Sequence, residues 1–176
     1  MVDPLFSSEE LYAGHGWRLT LDTAPLPDGR VKSSGRAHRS NTVHILAFPT
    51  DDTVLLLREF RPFYGRYVWL IPSGKADKEQ DVDAAAQREL REETGFRSKD
   101  LRFYCMARYT DALEAKNHIY IARQLVKDPL PQDESELIEV HEVRLQDAID
   151  RVLHDDFAHL ATAYALLRYE RERGKN

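Results

Sequence analysis

Three closely spaced glutamates carry the clearest chemical signal in this sequence. Glu89, Glu92 and Glu93 are three and four residues apart, so a helix would place their carboxylates on one face, with Arg88 beside them. Like charges at this spacing destabilise a helix unless a positive charge lies among them. Mg²⁺ is a suitable counterion because it prefers carboxylate and carbonyl oxygens together with substrate phosphates. The alternative interpretation is a solvated, purely structural helix face.

The helix that would carry these residues is predicted from residue 82 to residue 94. Apolar residues recur along it at helical spacing, at Val82, Ala86 and Leu90. Asp81 and Asp83 are typical of a helix start, and Gly95 is typical of the position just past a helix end. The turn Pro72-Ser73-Gly74 precedes this helix closely enough for a backbone carbonyl to join the same ion.

Strands are predicted on both sides of this helix, from runs rich in β-branched and aromatic residues. They cover residues 9–20, 31–39, 42–48, 53–60, 67–71, 101–109, 118–125 and 139–143. The runs 42–48 and 53–60 predict a core hairpin, and Pro-Asp-Gly within residues 26–30 predicts a turn. Helices are predicted at 145–153 and 157–171. This order predicts an α/β (α+β) fold, a mixed sheet with helices on its faces.

The composition is typical of a globular protein with one substantial core: 176 residues, of which 42% are hydrophobic and 31% charged. A net charge of −5 gives no reason to expect nucleic acid or an anionic membrane as a partner. The single cysteine, Cys105, cannot form an intrachain disulfide, and no signal peptide or membrane-spanning apolar run is found. We therefore expect a soluble, cytoplasmic protein.

The segment from residue 74 to residue 96 resembles the Nudix box. That pattern runs Gly, five residues, Glu, seven residues, then Arg-Glu-apolar-any-Glu-Glu-any-Gly-apolar. The residues in register are Gly74, Arg88, Glu89, Leu90, Glu92, Glu93, Gly95 and Phe96. One position departs: Gln80 stands where the family has a Glu that helps to hold the Arg of the box. Gln can still accept a hydrogen bond from Arg88, although without a charge.

The resemblance extends over roughly residues 9–165 and is strongest to ADP-ribose and nucleotide-sugar pyrophosphatases. The segments that carry it are LLLREFRPFYGRYVWLIPSGKAD, YAGHGWRLTLDTAPLPDGR and DESELIEVHEV. It implies a Nudix α/β/α sandwich with a mixed sheet over residues 41–176, preceded at 1–40 by a small β-sheet that forms a homodimer. Two features depart from this branch: Leu70 replaces a frequent Glu, and a Pro beyond the box is absent.

The resemblance also implies an activity and a set of site residues. The activity is Mg²⁺-dependent hydrolysis of the pyrophosphate bond of ADP-ribose or a nucleoside diphosphate sugar, with Mn²⁺ as the substitute metal. The implied metal ligands are Glu89, Glu93 and the Ser73 backbone carbonyl; the implied catalytic residues are Arg88, Glu92 and Glu114, with Asp111 as the second choice for the loop base. Substrate would be bound by Arg61, Arg58 and, from a partner chain, Trp17 or His15. A nucleoside triphosphate pyrophosphohydrolase and a non-catalytic nucleotide-sugar sensor are the alternatives.

Overall fold

The computed structural model describes residues 7–77 and 81–174. In chain order its elements are β1 (Ser7–Gly14), β2 (Trp17–Pro25), β3 (Val31–His38), β4 (Thr42–Ala47), β5 (Thr53–Arg61), β6 (Arg66–Leu70), β7 (Ser73–Lys75), α1 (Val82–Thr94), β8 (Phe96–Ala107), β9 (Leu113–Glu114), β10 (Asn117–Lys127), β11 (Ile138–Arg144), α2 (Leu145–Leu153) and α3 (Leu160–Arg173). These residues group into two compact units. The N-terminal unit contains residues 7–41 and 108–116, and the main unit contains the other described residues.

Two sheets form the centre of the main unit. One has the strand order β7-β4-β10-β8, with β4 and β10 parallel and the other pairs antiparallel, and the second is the antiparallel sheet β11-β5-β6. Helices cover both sides. The core on the α1 side includes Val43, Ile45, Leu55, Ala86 and Leu90, and the core on the α2 and α3 side includes Leu46, Leu56, Ile149, Val152 and Leu166. The predicted mixed α/β architecture is confirmed.

The two apolar strands β4 and β5 do not pair with each other, so the predicted core hairpin is wrong. β4 lies between β7 and β10, and β5 lies between β11 and β6. Each strand is buried along most of its length because the core covers it on both faces. An apolar run of this kind indicates burial but carries no information about which strand lies beside it.

The N-terminal unit is a four-stranded sheet in the order β1-β2-β3-β9. The single strand predicted over residues 9–20 is wrong, because the chain reverses at His15 and Gly16, whose φ angles are 52° and 75°. Two successive positive φ angles are typical of a two-residue hairpin turn. The turn predicted at residues 26–30 is present: the Gly29 N–H donates to the Leu26 carbonyl at 3.0 Å.

One face of this N-terminal sheet reverses the usual distribution of polar and apolar side chains. Leu19 and Leu21 are 40% and 38% exposed, whereas Thr20 and Asp22, which alternate with them on β2, are buried. Asp22 accepts hydrogen bonds from Ser8 and Arg36 on the neighbouring strands. Exposed apolar side chains on one sheet face are typical of an interaction surface.

Helix α1 begins and ends where the sequence predicts. The Asp81 side chain accepts a hydrogen bond from the Asp83 N–H, and Gly95 has a left-handed φ of 75° with its N–H donating to the Arg91 carbonyl. β8 begins at Phe96, immediately after this cap and earlier than predicted. No helix in the described part of the chain is long and apolar enough to span a bilayer.

Candidate active site

The carboxylates of α1 lie where the helix faces the core. Glu89 and Glu93 are one turn apart and buried, and Glu92 is only partly buried. Arg88 contacts two of them, with Nη2 at 2.8 Å from Glu89 Oε1 and Nη1 at 2.6 Å from Glu92 Oε2. Its Nη2 also donates to the Lys75 carbonyl at 3.0 Å. Arg88 therefore supplies the positive charge that this helix face requires and holds Glu92 towards itself.

The short strand β7 brings backbone against both buried carboxylates. The Ser73 N–H donates to Glu93 Oε2 at 2.7 Å. A Cβ atom at position 74 would lie only 2.1 Å from Glu89 Cδ, so the residue there must be glycine for Glu89 to keep its place. Antiparallel pairing of Gly74 with Val43 on β4 fixes this segment. The Pro-Ser-Gly turn therefore contacts both buried carboxylates of the helix.

Burial dominates the electrostatics of the two carboxylates. It raises the pKa of Glu93 well above its usual range, and the hydrogen bond from Ser73 opposes that increase. Burial also raises the pKa of Glu89, although Arg88 partly opposes it. The other carboxylates that raise the pKa of Glu93 are Glu89, Glu136 and Glu59. A cation bound among the carboxylates would offset these increases in the pKa values of Glu89 and Glu93.

Two carboxylates at this place could serve as ligands of a divalent metal ion. In residues 7–77 and 81–174, no three His, Cys, Asp or Glu side chains converge in a metal-binding arrangement. Mg²⁺ is usually bound by one or two carboxylates, and waters and substrate phosphates complete its coordination. Glu89 and Glu93 provide such a pair of carboxylates. The absence of a side chain at Gly74 leaves room for the Glu89 carboxylate.

A further pair of charged residues lies on β5. Glu59 is buried, and its Oε2 is 2.8 Å from Arg61 Nη2. Both side chains point to the same face of the strand, the face whose Leu55 packs in the core with α1. Arg58 points to the opposite face, where it pairs with Glu139. The structure therefore places Arg61 on the carboxylate side of β5 and Arg58 on the other side.

The model of the NUDIX domain family matches residues 38–166 of this chain. The chain belongs to the Nudix family. The resemblance of residues 74–96 to the Nudix box is confirmed, and the protein is a Nudix pyrophosphohydrolase.

Individual relatives cover nearly the whole chain. An ADP-ribose pyrophosphatase of Bacillus subtilis is 29% identical over 172 residues, which span 94% of this chain and 91% of that protein. A methanol dehydrogenase activator of Bacillus methanolicus is 24% identical over 168 residues, spanning 92% and 91% of the two chains. A crystal structure of an ADP compounds hydrolase matches with a TM-score of 0.80 and 25% identity, covering 98% of this chain and 95% of that one.

Glu136 is a Nudix site candidate that is not among the residues predicted from the sequence. It lies in the loop before β11, and its carboxylate raises the pKa of three others: Glu59, Glu89 and Glu93. The loop is held beside β5 because the Phe60 N–H donates to the Leu137 carbonyl at 3.0 Å. The acidic run Asp-Glu-Ser-Glu just before a strand is the signal that could have indicated it.

Glu114 and Asp111, the predicted loop candidates, belong to the N-terminal unit of this Nudix protein. Glu114 forms ion pairs with Arg108, at 2.8 Å, and with Arg36. Hydrogen bonding from Arg108 is the main cause that lowers the pKa of Glu114, and Arg36 adds to it. Asp111 is exposed, and its backbone carbonyl accepts a hydrogen bond from Arg36. The role of either residue as the base stays a prediction.

The remaining predicted residues have varied surroundings. Trp17 is partly exposed, with the Arg39 guanidinium 4.3 Å from its ring centroid, and His15 is exposed in the turn before it. Their substrate contacts stay predictions. Gln80, the departure within the Nudix box, lies outside the described residues. Leu70 is buried opposite Leu57 on β5.

Proposed function

We propose that this Nudix enzyme hydrolyses the pyrophosphate bond of ADP-ribose or of a nucleoside diphosphate sugar, giving a nucleoside monophosphate and a sugar phosphate. The observation that carries the proposal is the buried pair Glu89 and Glu93, held against the backbone of Ser73 and Gly74. Relatives named as an ADP-ribose pyrophosphatase and an ADP compounds hydrolase support this class of substrate.

Mg²⁺ is the cofactor that we propose, with Mn²⁺ as the substitute. Glu89, Glu93 and the Ser73 carbonyl would hold it. A bound ion of this kind neutralises phosphate oxygens and lowers the pKa of the attacking water. Arg88 keeps Glu89 in place through the contact at 2.8 Å and holds Glu92 away from other partners.

Glu136 is the proton acceptor that we propose. The oxygen of water bonds to one phosphorus, the bridging oxygen leaves with the sugar phosphate, and the water proton passes to the Glu136 carboxylate. Its effect on the pKa values of Glu89 and Glu93 supports a position close to the reaction. Glu92 is a weaker candidate because Arg88 occupies it, and Glu114 is weaker because paired arginines lower its pKa and so its basicity.

Arg61 is the residue that we propose for binding the phosphates or the terminal ribose of the substrate. Its guanidinium is only partly covered by Glu59, and a guanidinium matches the geometry of phosphate oxygens. Trp17 or His15 would stack on the base from a partner chain in a homodimer formed by the N-terminal sheet. The exposed apolar face of β2 supports that assembly.

Product analysis by chromatography tests the proposed reaction. The purified chain is incubated with ADP-ribose, nucleoside diphosphate sugars, dinucleoside diphosphates and nucleoside triphosphates, each with Mg²⁺, with Mn²⁺ and with EDTA. We expect AMP and ribose phosphate from ADP-ribose, and loss of turnover with EDTA. Release of pyrophosphate from triphosphates alone would assign the triphosphate reaction instead. Binding without turnover of any compound would assign a sensor.

Substitution of Glu93 tests the metal site. Glu93→Gln removes a charge that the ion needs, so turnover should be abolished while the circular dichroism spectrum is kept. Metal affinity measured by titration calorimetry should fall in parallel. Glu170→Gln, on α3 and outside the Nudix box, is the control and should match the wild type. Near-normal turnover of Glu93→Gln at saturating Mg²⁺ would contradict the assignment.

A further inference from the structure

β5 buries one carboxylate between apolar neighbours on the two adjacent strands. Glu59 is 5% exposed, follows the fully buried Leu57 on the same face, and lies opposite Val68 on β6 and Ile138 on β11. An ionised carboxylate is strongly disfavoured in such surroundings unless a partner compensates for its lost hydration. A leucine or valine would fill the same strand position without that cost, so packing alone does not account for Glu59.

The partner of Glu59 is a residue that remains open to solvent. Arg61 Nη2 lies 2.8 Å from Glu59 Oε2, and the Arg61 side chain is 40% exposed. One side of the guanidinium is therefore anchored, while much of the side chain faces outwards. A guanidinium has five N–H donors in one plane, so it binds two phosphate oxygens at once only when that plane is correctly oriented.

Another arginine of β5, Arg58, forms a second pair for comparison, with Glu139 on β11. Arg58 lies 3.1 Å from Glu139, with side-chain exposures of 38% and 47%, on the opposite face of β5. Both of these partners are solvated, and an exposed pair of this kind contributes little to stability or to geometry. In both pairs the arginine lies on β5 and the partner is a glutamate, but the carboxylate is buried in one pair and exposed in the other.

We propose that Glu59 is a positioning residue that orients the Arg61 guanidinium for the phosphate groups of the substrate. The inference rests on the proposed function because it takes Arg61 to bind those phosphates. Glu59 touches no substrate and acts only through Arg61. Its carboxylate binds the guanidinium where water would otherwise do so, and it thereby restricts rotation of the long Arg61 side chain.

Conservative amide substitutions separate the two pairs. Glu59→Gln retains the size of the side chain but removes its charge, so KM for ADP-ribose should rise about tenfold while kcat stays within about threefold. The Mg²⁺ concentration for half-maximal activity should not change. Glu139→Gln is the matched control and should leave KM, kcat and the metal requirement at wild-type values. A fall in kcat or in metal affinity with an unchanged KM would overturn the inference and place Glu59 at the metal instead.

The double variant tests whether Glu59 acts through Arg61. In an Arg61→Ala background, Glu59→Gln should cause no further rise in KM, because the group that it positions is absent. Arg61→Ala leaves Glu59 buried without its partner and should melt at a lower temperature than the wild type, and adding Glu59→Gln should recover part of that loss. Additive effects of the two substitutions on KM would contradict the proposal.

Binding of inorganic pyrophosphate, measured by calorimetry with EDTA present, separates this inference from the proposed function. Glu59→Gln should weaken that binding about tenfold, and Glu139→Gln should not change it. If the wild type cleaves none of the compounds offered, the proposed function fails, and the pyrophosphate titration still decides the role of Glu59. Equal affinities in the wild type and in Glu59→Gln would overturn the role.

Discussion

The glutamates of this protein differ chiefly in what surrounds each carboxylate. Glu92 is held by Arg88 on the same helix, and Glu114 is held by Arg36 and Arg108 in the N-terminal unit. Glu136 lies in the loop before β11, and its charge adds to the increase in pKa that burial causes at Glu89 and Glu93. The arginines that hold Glu114 lower its pKa and so make it a weaker proton acceptor.

Paired substitutions distinguish the candidate bases. Glu136→Gln should lower kcat by about two to three orders of magnitude, the usual contribution of a general base, with KM nearly unchanged. Glu114→Gln should have a smaller effect on kcat, and Asp111→Asn less still. Steady-state kinetics at saturating Mg²⁺ provides the measurement. The reverse order of effects would return the role of base to the loop of the N-terminal unit, and no effect from any of the three would move it to Glu92.

A histidine in the main unit makes stability depend on pH. Burial, and next the charge of Arg61, lower the pKa of His159 to about 4, and its ring lies 5.6 Å from that of His44. The unfolded chain, with an ordinary histidine pKa of 6.5, binds this proton first. The contribution of His159 to the free energy of unfolding is therefore complete above pH 6.5 and decreases as the pH falls towards 4.

Urea unfolding at pH 7 and pH 5 should show a larger loss of stability for the wild type than for His159→Asn. The exposed control His154→Asn should follow the wild type, and equal pH dependence in all three proteins would contradict this assignment.

At the scale of secondary-structure elements, the active site depends on the close approach of β7 to α1. A methyl group at residue 74 would overlap the Glu89 carboxylate, which lies at the end of a flexible side chain and can move aside. We therefore expect Gly74→Ala to fold, with a stability within about 1 kcal/mol of the wild type, but to lose turnover at least about tenfold. Gly174→Ala, whose added methyl group would lie 3.9 Å from the nearest atom, is the control. Wild-type turnover in Gly74→Ala would show that Glu89 need not occupy this position.

The elements predicted correctly from the sequence are those specified by local signals. Helix α1 has a capping aspartate, Asp81, and a left-handed glycine, Gly95, and each acts within one turn of the helix end. Pairing of strands is not local: the neighbours of β4 are β7 and β10, both distant in sequence. The acidic run before β11 marks Glu136 only as a polar loop residue, and its place in the fold depends on the pairing of β11 with β5, which is also not local. The charged box residues Arg88, Glu89, Glu92 and Glu93 could be predicted because one helix carries these four.

The described chain as a whole consists of a main unit that holds the box and an N-terminal unit with an exposed apolar sheet face. If a second copy covers that face, light scattering should give twice the chain mass of 20.4 kDa at micromolar concentration. Leu21→Glu would bury a charge in such an interface and should shift the mass to that of one chain. Leu160→Glu, at a leucine on α3 that is more exposed than Leu21, should leave the mass unchanged. A single-chain mass for the wild type would refute the shared site.

The pairing of β3 with β9 has a consequence for how the chain is made. Ala37 and His38 pair in parallel with Leu113 and Glu114, which are synthesised only after β4 to β8. The first three strands can pair as soon as they emerge from the ribosome, but the outer edge of β3 remains without its short neighbour until most of the main unit has been translated. An unpaired edge is a template for the same strand of another nascent chain. On a polysome that translates this message, the end of β3 at Ala37 and His38 therefore stays unpaired until the two residues of β9 have been added.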